Sequence, residues 1–571
     1  MSNYVGRRSQ QWFGAEPGKR SGARVWMKNR GLPHDLFDGR PVIGILNTWS
    51  EMTPCNAHLR DLAEHVKSGV LEAGGVPYEM PVMSLGETVM RPTTMLYRNL
   101  AAMEAEELIR ANPVDGVVLM AGCDKTVPSL VMGAASCNLP TIMITGGPML
   151  SGWFRGQRLG NGTSNFRLNE ELRAGTITKE AYAALESAMA RSPGHCNTMG
   201  TASTMGSMVE ALGLTMPQSA AIPAVDSRRA VLARVTGRRI VRLVEEDVRI
   251  GSILVREAFE NAIITLAALG GSTNAVVHLL AIAGRLGVPL TPDDFDRIAR
   301  DVPCLVNVMP SGEYLMEDFH RAGGLPAVMA ELGGRLRTGI RTVSGQTVAQ
   351  RLEGAERVGE DVIFPFGRPF KQQGGVAILK GDLAPQGAVI KPTAASERLM
   401  QHRGRAVVFD SLQEFRARID DEDLDVDENS VLVLRNCGPR GYPGMPEVGN
   451  MSLPAKLLRK GIRDIVRITD GRMSGTAFGT VVLHVSPEGA QKGPLAALRT
   501  GDVVILDVPE RRLDVDVPAE AWRARVAATE DRIAGHGGGW TSIYARHVMG
   551  AEHGADLDFL RGCRGDDVGY K

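Results

Sequence analysis

Between residues 41 and 148 short apolar runs alternate with amphipathic stretches, and this alternation restricts the fold more than any other feature. Residues 41–46 read as a buried strand. Residues 58–73 read as a helix with Leu59, Leu62, Ala63, Val66 and Val70 on one face. Strand-like runs follow at 76–83, 116–120 and 141–144, separated by helical stretches at 96–111 and 128–137, the last with a proline near its first turn. Strands separated by helices predict an α/β fold: a three-layer α/β/α unit with a largely parallel sheet. Such sheets bind ligands at the carboxyl ends of their strands.

Three cysteines lie far apart in similar polar settings: Cys55 in Thr-Pro-Cys-Asn, Cys123 in Gly-Cys-Asp-Lys-Thr and Cys196 in Gly-His-Cys-Asn-Thr. The first two fall in loops leaving predicted strands, and each of the three precedes a helical segment. The positive end of a helix favours thiolate over thiol. Three such thiolates could hold an iron–sulfur cluster and leave one iron without a cysteine, an open Lewis acid suited to chemistry rather than electron transfer. The alternative is three ordinary buried cysteines. No C-x-x-C pair occurs, which argues against a zinc ribbon or finger.

Asp124 and Lys125 directly follow Cys123, Glu87 follows a predicted strand, and Glu447 lies in a Gly/Pro-rich loop. Carboxylates at strand ends are the hard oxygen ligands that Mg²⁺ takes, although each alone also reads as a solvated loop charge. Ser474 sits in Thr-Asp-Gly-Arg-Met-Ser-Gly-Thr, where small neighbours could present its hydroxyl to a cleft or simply make a turn. The chain has no nucleophile elbow, no Walker A pattern and no dinucleotide fingerprint.

A chain of 571 residues exceeds one ordinary core, so more than one domain is expected. We expect an N-terminal arm over 1–40, an α/β domain over 41–375 and a β-barrel-like domain over 376–571. The last rests on short strands near 375–379, 387–390, 405–409, 430–434, 464–468, 479–484 and 502–508. A surface helix is expected at 176–191, a helix rich in small residues at 197–212, and a helical stretch at 257–287 broken by Gly270-Gly271-Ser272-Thr273-Asn274, a polar turn facing something. The 65 basic and 65 acidic residues cancel, giving no general reason to bind nucleic acid or an anionic membrane. Arg7-Arg8 and Lys19-Arg20 read as a solvated arm. No apolar leader is visible, and apolar stretches such as 275–283 are too short to span a bilayer. Seven cysteines in so long a chain fit a reducing, cytoplasmic setting.

Taken together, Thr53–Asn56, Gly122–Thr126, Gly194–Met205, Gly270–Asn274 and Asp470–Thr476 resemble the dihydroxyacid and sugar-acid dehydratase family, which includes phosphogluconate dehydratase. Stretches 8–13, 26–29, 35–55, 436–450 and 554–563 resemble its pentonate-acting group. The resemblance implies a hydro-lyase that converts an aldonate to a 2-keto-3-deoxy acid. It implies Cys55, Cys123 and Cys196 as cluster ligands, with [2Fe–2S] expected and [4Fe–4S] the alternative. It also implies Glu87, Asp124 and Glu447 as Mg²⁺ ligands, a carbamylated Lys125 as a further ligand, Ser474 as the base, and a homotetramer built from dimers. The expected partner is a small sugar acid. The competing readings are a dehydratase for another sugar acid (xylonate, fuconate or galactonate) or for a branched-chain dihydroxy acid, a non-catalytic iron–sulfur sensor, and a structural α/β protein with inert cysteines.

Overall fold

The computed structural model describes residues 7–14, 22–448, 451–532 and 538–565. Lys19, Arg20 and residues 449–450 of the 436–450 stretch lie outside them. Four strands, β1 (Val42–Asn47), β2 (Val76–Pro81), β3 (Gly116–Ala121) and β4 (Thr141–Thr145), form a wholly parallel sheet in the order β2-β1-β3-β4. The connections are α1 (Leu59–Glu72), α2 (Thr94–Ala111) and α3 (Thr126–Cys137). The chain crosses one way from β1 to β2 and back the other way to β3, so right-handed crossovers put α1 and α2 on opposite faces. The five apolar residues expected on one face of α1 are all buried.

Then follow α4 (Thr163–Ala174), α5 (Lys179–Met189), α6 (Thr201–Ala211), α7 (Ser227–Glu245), α8 (Arg256–Leu269) and α9 (Asn274–Leu286). Helix α7 packs against α1 so closely that a β-carbon on Gly69 or Gly237 would overlap the other helix's backbone. On the other pair, a β-carbon on Gly133 of α3 would lie 2.6 Å from the Ala102 carbonyl oxygen of α2. Helix α6 begins later than the expected 197, because Gly200 is extended and Cys196 lies in the loop before it. The Gly270–Asn274 interruption separates two helices as expected. Gly270 closes α8 in the left-handed region at φ +58°.

The second sheet contains β5 (Ala377–Leu379), β6 (Gly387–Ile390), β7 (Gln401–Phe409), β8 (Val431–Leu434), β9 (Arg467–Thr469), β10 (Val481–Ser486), β11 (Val503–Asp507) and β12 (Arg512–Val515). Its order is β12-β11-β7-β8-β9-β10-β6-β5, with β7 to β10 parallel and the flanking pairs antiparallel. A bridge between Lys380 and Arg512 joins the two edges, so the sheet curls into a nearly closed barrel. Strand β12 was not legible in the sequence. Its four residues include two charges, and its pairing partner rather than its pattern defines it.

Residues 554–556 return to the first unit. The fully buried Arg98 guanidinium donates to the carbonyls of Gly554 and Ala555 at 2.8 and 2.9 Å. Arg285, equally buried, pairs with Asp556 at 2.6 Å and with Glu106 at 3.2 Å. Among the described residues no helix is long and apolar enough to cross a membrane.

Candidate active site

The three cysteine loops converge because they leave neighbouring strands at the same end of the parallel sheet. Cys55 follows β1 and Cys123 follows β3. The Gly122 N–H donates to Asn56 Oδ1 at 3.0 Å, tying the two loops together. A β-carbon at Gly122 would lie 3.0 Å from the Cys55 carbonyl oxygen, so the close approach requires glycine. Cys196 is brought in by the segment beyond β4: His195 donates its N–H to Gly147 O at 3.0 Å and accepts from Met149 N at 2.9 Å. All three sulfurs border one cavity of about 1070 Å³, and Glu87, Asp124, Glu447 and Ser474 border it too. Lys125 lies behind the carboxylates, fully buried. The other four cysteines are elsewhere, with Cys137, Cys304 and Cys563 bonded to backbone carbonyls and Cys437 buried in the barrel unit.

Expected thiolate character is not what the bare pocket favours. A hydrogen bond with Cys123, burial and the repulsion of neighbouring groups push the Cys55 thiol well up. Burial, then Asp124 and Cys123, push Cys196 up as well. Helix-end stabilisation falls off within a turn, and α1 and α6 start too far beyond these sulfurs to outweigh burial. Holding Cys55 and Cys196 as thiolates would take a strongly cationic centre beside them, and three converging cysteine side chains offer the donor set that a thiolate-ligated metal cluster would use.

Glu87, Asp124 and Glu447 offer oxygens that all lie within 4.8 Å of one another. Oxygens on one Mg²⁺ at ~2.1 Å are at most ~4.2 Å apart, so small movements would bring this set within reach of one such ion. Lys125 Nζ lies 3.2 Å from Glu87, 3.5 Å from Asp124 and 3.4 Å from Glu447. The three carboxylates lift its pKa against the effects of burial and Arg472. Burial and the Glu87 charge raise Glu447 to about 7. Burial also raises Asp124, whereas Lys125, Arg472 and a hydrogen bond from Thr94 bring Glu87 below its ordinary value despite its burial.

Two residues without an assigned role in the sequence complete this group. Arg472, fully buried, donates from Nη1 to Glu447 Oε1 at 2.9 Å and from Nε to the Met445 carbonyl at 2.8 Å. Asn274, the first residue of α9, donates to Glu447 Oε1 at 3.2 Å, to Thr201 Oγ1 at 2.9 Å and to the Met473 carbonyl at 3.2 Å. The polar turn after α8 thus faces Glu447 and the serine loop. Both residues lie inside stretches singled out by sequence, but their burial and partners arise only on folding.

Ser474 Oγ shares a hydrogen bond with Thr476 Oγ1 at 3.0 Å. A β-carbon on its neighbour Gly475 would lie 2.5 Å from the Thr201 nitrogen and 2.7 Å from Ser272 Oγ. The serine loop is therefore pressed against the uncapped start of α6, whose N–H groups give the positive end of its dipole. Three cysteines, three clustered carboxylates and a hydroxyl beside a helix start thus share one cavity.

Sequence profiles described as dihydroxy-acid/6-phosphogluconate dehydratase N-terminal and C-terminal match residues 40–351 and 361–555. The chain is 57% identical to L-arabinonate dehydratase of Rhizobium leguminosarum bv. trifolii (strain WSM2304), over 98% of this chain and 97% of that protein. It is 55% identical to L-arabonate dehydratase of Azospirillum brasilense, over 98% of each. It is 46% identical to 6-deoxy-6-sulfo-D-gluconate dehydratase of Pseudomonas putida, over 97% of this chain and 96% of that protein.

Proposed function

The chain belongs to the dihydroxy-acid/6-phosphogluconate dehydratase family, and from that premise we propose that it removes water from a sugar acid, L-arabinonate foremost, to give the 2-keto-3-deoxy acid. The observation that carries this reading is the single cavity bordered by three thiols, three carboxylates and a serine. The relatives that act on sugar acids support the substrate class.

In this reading Cys55, Cys123 and Cys196 hold an iron–sulfur cluster, [2Fe–2S] in preference to [4Fe–4S]. Glu87, Asp124 and Glu447 hold Mg²⁺, joined by Lys125 as a carbamate, since an ammonium at that position would repel the ion. Bound there, the two groups supply Lewis acidity at the C3 hydroxyl and at the carboxylate and C2 hydroxyl.

The chain's own residues do the rest. Ser474 Oγ removes the C2 proton. A serine hydroxyl is far too weak an acid to ionise unaided at neutral pH, so its alkoxide needs nearby positive charge. The positive end of α6 against Gly475 provides it, and the Thr476 hydroxyl can donate a hydrogen bond to the alkoxide. Arg472 and Asn274 fix the Glu447 carboxylate so that it faces the cavity. Ser474 then passes the proton taken from C2 to the departing C3 hydroxide, so that water leaves, the alkoxide is restored and an enol remains. The enol becomes the 2-ketone as a proton is added at C3. The same reading takes the protein as a cytoplasmic homotetramer, a dimer of dimers, which light scattering tests.

Anaerobically purified protein with Mg²⁺ should form a 2-keto-3-deoxy acid from L-arabinonate and stop doing so with EDTA. Turnover of a different aldonate alone would move the substrate within the class. No product from any aldonate, by protein that displays a cluster spectrum, would overturn the reading.

A further inference from the structure

The metal carboxylates and Ser474 occupy one side of the cavity. Residues of α4 and α5 border the same cavity and are among those that the remainder of a substrate would meet. Helix α4 is seated on the serine loop: Thr163 Oγ1 donates to the Thr476 carbonyl at 2.8 Å, and Thr476 in turn bonds Ser474. Further along, Phe166 and Ala174 pack into the apolar cluster of the barrel unit, and Arg173 donates to the Leu453 carbonyl at 2.8 Å. Held at both ends, α4 is a fixed wall rather than a loose flap.

Asn165, in the first turn of α4, borders the cavity next to Phe166 and Met189. Tyr182 of α5 donates its hydroxyl to Asn165 Oδ1 at 2.6 Å. Among the described residues no other hydrogen bond engages that amide, so the tyrosine fixes its orientation and leaves the two Nδ2 hydrogens for the cavity. Neighbouring Phe166 and Met189 offer no hydrogen bonds, and Glu186 stands exposed at the rim. A half-buried amide between apolar side chains, with its carbonyl already used, is a donor site for hydroxyl oxygens.

We propose that Asn165, oriented by Tyr182, is the specificity-determining residue that binds the hydroxyls of the sugar acid beyond C3. This inference rests on the sugar-acid reading above. Asn165 touches the substrate, and Tyr182 acts as a positioning residue through it.

Calorimetric binding of L-arabinonate and of 2,3-dihydroxybutanoate, which carries the reacting hydroxyls and no further ones, tests it on the Mg²⁺-loaded protein. The variants are Asn165→Ala and Tyr182→Phe. In Asn165→Ala the ratio of affinities, aldonate over short acid, should fall about tenfold. In Tyr182→Phe, which removes one hydroxyl and keeps the packing, it should fall about threefold. Where turnover is measured, KM for the aldonate should rise more than kcat falls. A ratio within twofold of wild type in Asn165→Ala overturns the assignment of Asn165, and the same result in Tyr182→Phe alone overturns the positioning role. Wild-type protein that displays a cluster spectrum and binds the aldonate without converting it refutes the dehydration reading and leaves this inference to the affinity ratio. Wild-type protein that binds no aldonate refutes both.

Discussion

Lys125 Nζ lies 3.4 Å from Glu447 Oε1, although the two residues are 322 positions apart in the chain. One comes from the loop after β3, the other from the loop before the serine segment of the barrel unit. The acidic pocket therefore exists only when both units are assembled, and its charges are shared between them. Three carboxylates face the Lys125 ammonium and the Arg472 guanidinium, a formal excess of one negative charge that would grow to three with Lys125 as the proposed carbamate.

Ser474→Ala should lower kcat by roughly 10²–10⁴-fold, the usual contribution of a positioned acid or base. The visible spectrum and iron content should match wild type, since among the described residues the serine hydroxyl bonds only to Thr476. Normal turnover would remove the serine from the mechanism.

Cys123→Ser should lose colour and activity together. Cys123 stands between the other two loops, with Gly122 bonded to the Asn56 side chain beside Cys55. Iron and sulfide analysis reads this directly, and an unaltered cluster spectrum would sink the ligand assignment.

Gly475→Ala should fold and yet lose about 10²-fold in kcat. Its new methyl would meet the Thr201 backbone nitrogen at 2.5 Å, and a helix backbone does not give way. The serine loop must shift instead, and a displacement near 1 Å costs that much in rate. Thermal melting beside kinetics separates a displaced loop from a lost fold.

Lys391 offers a test of stability away from the site. Its Nζ is buried and has no hydrogen-bond partner among the described residues. Burial lowers its pKa to about 7, against a small opposing influence from Cys304. An unfolded lysine titrates near ~10.4. Between those values the unfolded chain holds the extra proton, so this group's contribution is complete above ~10.4 and is lost as pH falls through 7. The slope is up to ~1.4 kcal/mol per pH unit. Lys391→Met should therefore melt higher than wild type at pH 7, and the gap should narrow at pH 9.5. A gap independent of pH would refute the account.

The first unit was legible because each strand and helix carries its own period: the buried face of α1 and the parallel order follow from apolar spacing and alternation. The placement of Cys55 and Cys123 in loops at the carboxyl ends of strands was readable for the same reason, whereas the adjacency of β1 and β3 that makes those loops meet was not. Arg472 was not readable as a ligand-holder. A buried arginine looks like any surface arginine until Glu447 and the Met445 carbonyl close around it. Cys196 was placed at a helix start in the sequence, but Gly200 delays the helix and the sulfur arrives on a loop pinned to Gly147. Asn165 gave no signal at all, because its meaning depends on Tyr182 one helix later and on a wall that only the assembled cavity defines.

The return of residues 554–556 to Arg98 and Arg285 has a consequence for biosynthesis. Two arginines in the heart of the first unit receive carbonyl and carboxylate partners that the ribosome delivers only after every barrel strand. Until Asp556 emerges, α2 and α9 carry buried cations lacking those partners, a state that is costly to populate. The first unit thus waits for the barrel to be synthesised, and a nascent polypeptide halted within the barrel would be recognised as unfinished by whatever monitors exposed or unsettled cores.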